Sequence, residues 1–523
     1  MRDPSKAKIP CTVADRLYGA LNRHAFFCLI LIVGLYVSHA IVSSDRKPLW
    51  YDEIFSVIVA SQPLGPRFAQ AITADGNPPL YALLCKAAMH LLGSSSDLIV
   101  RLPSLVSFTG ALLLIFLYVK RECDRVFGLL AVALTIGQPG WSYAVEARPY
   151  ALLLFFLMLM LIGWQTAISL DVSPSFQRVG LAAMAMAQVG AIFSHHLGLI
   201  SVGVPIIGGE LVRALTRRQV DWRVLGSFVA ALPCLLITLP MAHRSQSLLL
   251  HFSKASMHPV TLARLLQYVI INPSLSWPFV IATKLLFVLA GLVFLTRTIP
   301  SRSTAQHDHP QLHVIAASAT AAALIPITLL AMMFSTGYYN CRYGIGCIGG
   351  IAILSCVLIF QQGSTRSLIA TALLVTVVIR FSASLVRTAV VPITELQRTS
   401  SLLLAVPPDQ LIVVADPTGY LPMWWYAPQA TRSRMVYLSD KPLALQYGYY
   451  VVETALTSEL PLLSVPVRSF SAFIPAHRHF YFIVTRPSPT EITEKRLLEL
   501  GYREIYRKSE DRYSLYEMDS KYP

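Results

Sequence analysis

The run YALLLFFLMLMLIGWQTAI, Tyr150–Ile168, holds nineteen residues and not one charge. As a helix rising about 1.5 Å per residue it covers roughly the 30 Å of a bilayer's hydrocarbon layer. Similar runs lie on both sides of it. They are Ala25–Val42, Ile99–Val119, Val126–Pro139, Val179–Phe193, Leu197–Leu215, Val224–Met241, Pro278–Leu295, Val314–Phe334, Tyr343–Phe360 and Leu368–Ile379. Together they predict an α-helical polytopic membrane protein with about eleven transmembrane helices, the third run being short for a span. Composition agrees: 54% of the 523 residues are hydrophobic and 14% charged, against about a quarter charged in soluble proteins.

The net charge of +15 falls between apolar runs, not on a nucleic-acid-binding face, so membrane lipids are the expected partner and nucleic acid is not. Arg and Lys crowd into 120–125, 213–223 and 297–302, which alternate with less basic loops. The positive-inside rule then puts residues 1–24 in the cytoplasm, with the first run an uncleaved helix. The outer side receives the loops 45–97, 138–148 and 243–277, the His195/His196 turn, the 337–342 turn and the C-terminal region. Residues 25–387 form the membrane domain. After about Val390 the apolar runs shorten, and residues 388–523 are expected to form a small extracytoplasmic α/β domain. Its strands are expected at Leu411–Ala415, His479–Val484 and Tyr513–Met518, with a helix at Thr490–Leu500. The eight cysteines show neither a disulfide framework nor a zinc spacing.

The polar chemistry collects on the outer side. Trp50-Tyr-Asp-Glu53 opens the first outer loop. Asp75-Gly-Asn-Pro-Pro-Leu-Tyr81 and Arg101-Leu-Pro103 follow it. A carboxylate just outside a membrane helix can take a hydroxyl proton or hold a metal. Taken alone, Asp52–Glu53 is more simply a solvated acidic helix start. The ordered pattern changes that reading. It resembles the GT-C superfamily of membrane glycosyltransferases, in the branch of protein O-mannosyltransferases, lipid A aminoarabinose transferases and related bacterial sugar transferases. Glu146-Ala-Arg-Pro-Tyr150, Phe193-Ser-His-His196 and Cys341-Arg-Tyr343 resemble further segments of that family.

The resemblance implies a GT-C-like fold and a glycosyltransferase in the bacterial inner membrane. Such an enzyme moves a hexose or pentose from a polyprenyl-phosphate donor to an envelope acceptor, with inversion. It places the catalytic base at Asp52. It places substrate contacts at Glu53, Asn77, Glu146, Arg148, His195, Arg342 and Tyr343. A divalent metal is an open alternative, with Glu53, Asp75 and His195 as candidate ligands. Asn77 stands where many relatives carry histidine, which weakens a metal site built there. Phe193 and His196 replace two family tyrosines. Arg342 suits a lipid phosphate because a guanidinium binds phosphate in a bidentate way. Arg380 and Arg387 are expected to anchor a span, and Lys284, deep in its run, carries no assigned role. Trp424-Trp-Tyr426 reads as an aromatic belt or as core. A transporter or lipid flippase, or a non-catalytic scaffold, is the alternative reading.

Overall fold

The computed structural model describes residues 13–256, 312–336, 340–362, 365–390, 394–463 and 465–521. Seven of its helices are long and apolar enough to cross a membrane, or eight if one bent pair is a single span. The chain is thus a polytopic membrane protein, with fewer long spans among the described residues than the eleven apolar runs suggest. The difference has particular causes. Arg125–Ile136 has 12 residues and Gly346–Phe360 has 15, which fall short of the roughly 20 a span needs. The run 314–334 is broken into Leu312–Ala322 and Leu324–Ser335, bent by 54°. Pro326 has no N–H to give the carbonyl of Ala322, so the helix breaks one turn before it. The run 278–295, with Lys284, lies outside the described residues. Apolar runs report the lipid-compatible stretches of a chain; they do not report where a helix is interrupted.

Tyr150–Ile168 is the most buried of the long helices and packs against Pro174–Ser194. Small residues make this close approach possible: a Cβ on Gly180 would lie 2.6 Å from both the Ala167 nitrogen and the Gly163 oxygen.

The C-terminal region is a six-stranded mixed sheet in the order β3-β2-β1-β4-β6-β5. The strands are β1 Ile412–Val414, β2 Met435–Ser439, β3 Val467–Ser469, β4 His479–Thr485, β5 Tyr502–Glu510 and β6 Tyr513–Ser520. β3, β2, β1 and β4 run parallel, while β6 pairs antiparallel with both β4 and β5. A helix Glu491–Glu499 covers the sheet between β4 and β5. One face of β4, through Phe480, Phe482 and Val484, packs into the domain's own core. On the other face, Tyr481 and Ile483 belong to a cluster that includes Tyr51, Ile54 and Phe55 of the first loop. The small domain and the first loop therefore share one apolar core. Polar bonds stitch the same seam. Tyr426 donates its hydroxyl to Asp97 at 2.6 Å and accepts the Leu49 N–H at 2.7 Å. Tyr51 donates to the Val452 carbonyl. Trp424 and Tyr426 are part of this junction, so the aromatic group is core.

Candidate active site

The helix Tyr51–Ser61 starts at Trp50, with Asp52 and Glu53 in its first turn. Neighbouring residues on a helix point in different directions, and here the two carboxylates part. Glu53 turns inward and is fully buried against Arg101, which is also fully buried. The pair is bidentate, with Arg101 Nε and Nη2 each 2.7 Å from a Glu53 oxygen. Glu53 also accepts the N–H of Ala147 at 2.7 Å and, reaching back, that of Trp50 at 3.2 Å. Arg101 donates further to the carbonyls of Ser44 at 2.7 Å and Lys47 at 2.6 Å. This ion pair ties three segments together behind the site. Glu53, expected at substrate or metal, does not line the cavity.

Asp52 turns outward into a cavity of about 400 Å³. Its Oδ2 accepts from Arg342 Nη2 at 3.1 Å and lies 3.9 Å from Arg148 Nη2. Arg148 also donates to the Asp52 main-chain carbonyl at 3.2 Å. The Arg342 guanidinium sits 5.5 Å from the Trp50 ring centre and 5.2 Å from that of Tyr150, within cation–π range. It is carried on the tight turn Cys341–Gly344, where the Asn340 side chain accepts the Arg342 N–H.

Asp75, Asn77, His195, His196 and Tyr343 line the same cavity. Asn77 donates to Asp75 at 2.8 Å. Burial raises the Asp75 carboxyl above the usual carboxylate range, against the pull of Arg148 and Asn77. His195 lies between the rings of Tyr150 and Tyr343, and its Nδ1 accepts the Leu197 N–H at 3.1 Å. Burial, with His196, Arg148 and Arg342 nearby, pushes its pKa down to about 3, so the ring is neutral at physiological pH. Glu146 is not a lining residue: it pairs with Lys47 at 3.3 Å, and burial raises its pKa. Seven of the nine residues expected at the site, counting the candidate metal ligands, therefore gather at one cavity; Glu53 and Glu146 stand behind it.

Of the three residues expected to hold a metal, Asp75 and His195 line the cavity and Glu53 does not. Glu53 is occupied by Arg101 and backbone N–H groups, and the charges nearest Asp52 are guanidiniums. Among the described residues the one group of three metal-capable side chains is His479, Glu517 and Asp519, in the small domain. The small domain also supplies cavity walls that sequence reading missed: Thr418, Val451, Val452 and Ala455. Nothing in the sequence separates Val451, Val452 and Ala455 from other apolar helix residues.

Gly76 closes one side of the site. Its φ is +71°, and its carbonyl is 2.7 Å from both His196 Nε2 and Ser245 Oγ. A Cβ there would stand 2.9 Å from Ser245 Oγ. Gly76→Ala is expected to cost about 1–2 kcal/mol through the left-handed backbone alone, read as a lowered melting temperature of the purified protein. Unchanged melting would show that the turn relaxes freely.

No family model matches the chain, and no curated protein matches it. Solved structures do. ArnT from Cupriavidus metallidurans in the apo state aligns with a TM-score of 0.58 over 94% of this chain and 98% of that one, at 12% identity. The fold is GT-C-like. ArnT bound to undecaprenyl phosphate aligns with a TM-score of 0.54, over 93% of this chain and 97% of that one, at 13% identity. The likeness thus extends over the membrane helices and the small mixed sheet together. At this identity the likeness establishes architecture.

Proposed function

We propose that this chain is a glycosyltransferase of the bacterial inner membrane that moves a sugar from a polyprenyl-phosphate donor to an envelope hydroxyl on the outer face. The observation that carries the reading is Asp52 held between the guanidiniums of Arg342 and Arg148 at the cavity wall. Two guanidiniums sharing one carboxylate oxygen make a ready site for an arriving phosphate, whose oxygens offer each arginine a charge-assisted acceptor. The arginines move their bonds to phosphate, and Asp52 is released to act as base. That the similarly folded ArnT is known bound to undecaprenyl phosphate supports a lipid-phosphate donor here.

In the proposed reaction the acceptor O–H gives its proton to Asp52 while its oxygen attacks the anomeric carbon. The bond from that carbon to the phosphate oxygen breaks on the opposite face, and the configuration inverts. Arg342 and Arg148 stabilise the charge left on the lipid phosphate. Neutral His195, beside Tyr343, orients sugar hydroxyls. No step passes through a metal.

Arg342→Ala is expected to weaken binding of a polyprenyl-phosphate about 10- to 100-fold, the value of a hydrogen bond to a charged group. Arg342→Lys restores part of it, since an ammonium is a point charge. Titration of the purified protein with undecaprenyl phosphate reads both; parental affinity in each would reduce Arg342 to an interfacial anchor. The reaction itself is tested by the envelope glycans of cells lacking the protein. One sugar is expected to be missing, and to return with the parent chain. An unaltered glycan profile would overturn the proposed function.

A further inference from the structure

The sheet of the small domain has two ends. The cavity lies at the end where β1 leads into Asp416 and Thr418, beyond the carboxyl ends of the parallel strands. At the other end, β4 begins with His479. The register places His479 directly opposite Asp519 and Tyr481 opposite Glu517. Side chains two apart on a strand share a face, so His479, Glu517 and Asp519 converge on one side of the β4–β6 pair.

Their distances are those of a site, not only of neighbours. His479 Nδ1 lies 2.6 Å from Asp519 Oδ1 and 3.8 Å from Glu517 Oε1. The three ligand atoms lie within 4.8 Å of one another. Tetrahedral ligands at about 2.0–2.2 Å from zinc stand about 3.4 Å apart. Asp519 need retreat by less than about 1 Å and Glu517 advance by about half that, well within side-chain freedom at a partly exposed position.

The outer contacts divide the Glu517 carboxylate in a way that favours this use. Its Oε2 is held by Arg507, with Nε at 2.6 Å, and it also accepts from Tyr481 at 3.4 Å. Oε1 is the oxygen that faces His479. A ligating carboxylate is ordinarily oriented by such a bond on its other oxygen.

We infer that His479, Glu517 and Asp519 form a site for a divalent transition-metal ion of the zinc class, separate from the reaction cavity and serving to pin β6 to β4. Three protein ligands leave a fourth position for water. Asp519 is the last residue but one of β6, so the ion fastens the end of the strand that would otherwise fray first.

The test uses the full-length chain, purified without a histidine tag in detergent and freed of metal with a chelator. Titration with Zn²⁺ by calorimetry is expected to show one saturable site per chain. Zn²⁺ is expected to raise the melting temperature. His479→Ala and Asp519→Asn should each weaken binding more than the roughly 10- to 100-fold typical of an outer-contact loss, and should abolish the Zn²⁺-dependent rise in melting. Melting without Zn²⁺ near that of the parent shows that both variants remain folded. If the parent takes up no more Zn²⁺ than His479→Ala, the three residues are only a surface ion pair and the inference is wrong. The readout involves no sugar transfer, so it stands or falls independently of the proposed function.

Discussion

Asp52→Asn is expected to slow sugar transfer about 100- to 10,000-fold, the usual cost of losing a general base. The amide keeps the shape of the carboxylate but cannot accept the proton of the attacking hydroxyl. Donor binding is expected to be at least as tight as in the parent, because Arg342 and Arg148, now bonded to or near Asp52, lose a competing anion. The two readouts together separate the roles. A transfer rate near that of the parent would remove Asp52 as the base. Loss of donor affinity along with rate would instead make Asp52 the residue that positions the arginines.

The second large effect concerns stability. Arg101→Met is expected to destabilise the protein by about 3–5 kcal/mol, the cost of leaving a buried partner charge unpaired. Glu53 is fully enclosed and has no water to turn to. Arg101→Met combined with Glu53→Leu should recover much of that loss, since two apolar side chains of similar volume replace the ion pair without an orphaned charge. Chemical unfolding in mixed micelles measures both variants against the parent. If the double variant is no more stable than the single one, the carbonyl bonds of Arg101 to Ser44 and Lys47, and not the ion pair, hold the loop.

These two predictions also show where the sequence is readable and where it is not. The strands around 412 and 479–485 are legible because a strand buried on both faces must be a run of apolar residues. β5, with the sequence YREIYRKSE, is an edge strand with most of its side chains in water, so its pattern looks like a polar loop until β6 pairs with it. In the membrane domain the apolar runs mark the helices, including ones buried among the others such as Arg125–Ile136, yet the break before Pro326 is a backbone event that hydropathy does not weigh. Within the site, Asp52, Asn77, Arg148, His195, Arg342 and Tyr343 are legible through the order of short motifs that resembles the GT-C superfamily; their residue types alone do not single them out. The separate fates of Asp52 and Glu53 are not legible. Adjacent letters look alike, and only the position of Arg101, 48 residues away along the chain, decides which one faces the cavity. Val451, Val452 and Ala455 carry no mark at all, because a cavity wall and a helix core use the same side chains.

The seam between the first loop and the small domain sets an order of events in biosynthesis. Leu49 meets Tyr426, and Tyr51 meets Val452, across 377 and 401 residues of chain. Tyr426 and the residues around 450 emerge from the ribosome about 400 residues after the first loop. By then the first helices have long been inserted. The loop bearing Asp52 therefore waits, with the apolar face of Tyr51, Ile54 and Phe55 uncovered, until the residues around 426 and 450 have been made and have folded against it. A chain cut short before residue 411 would insert normally and still lack both the cover of that face and one wall of its cavity.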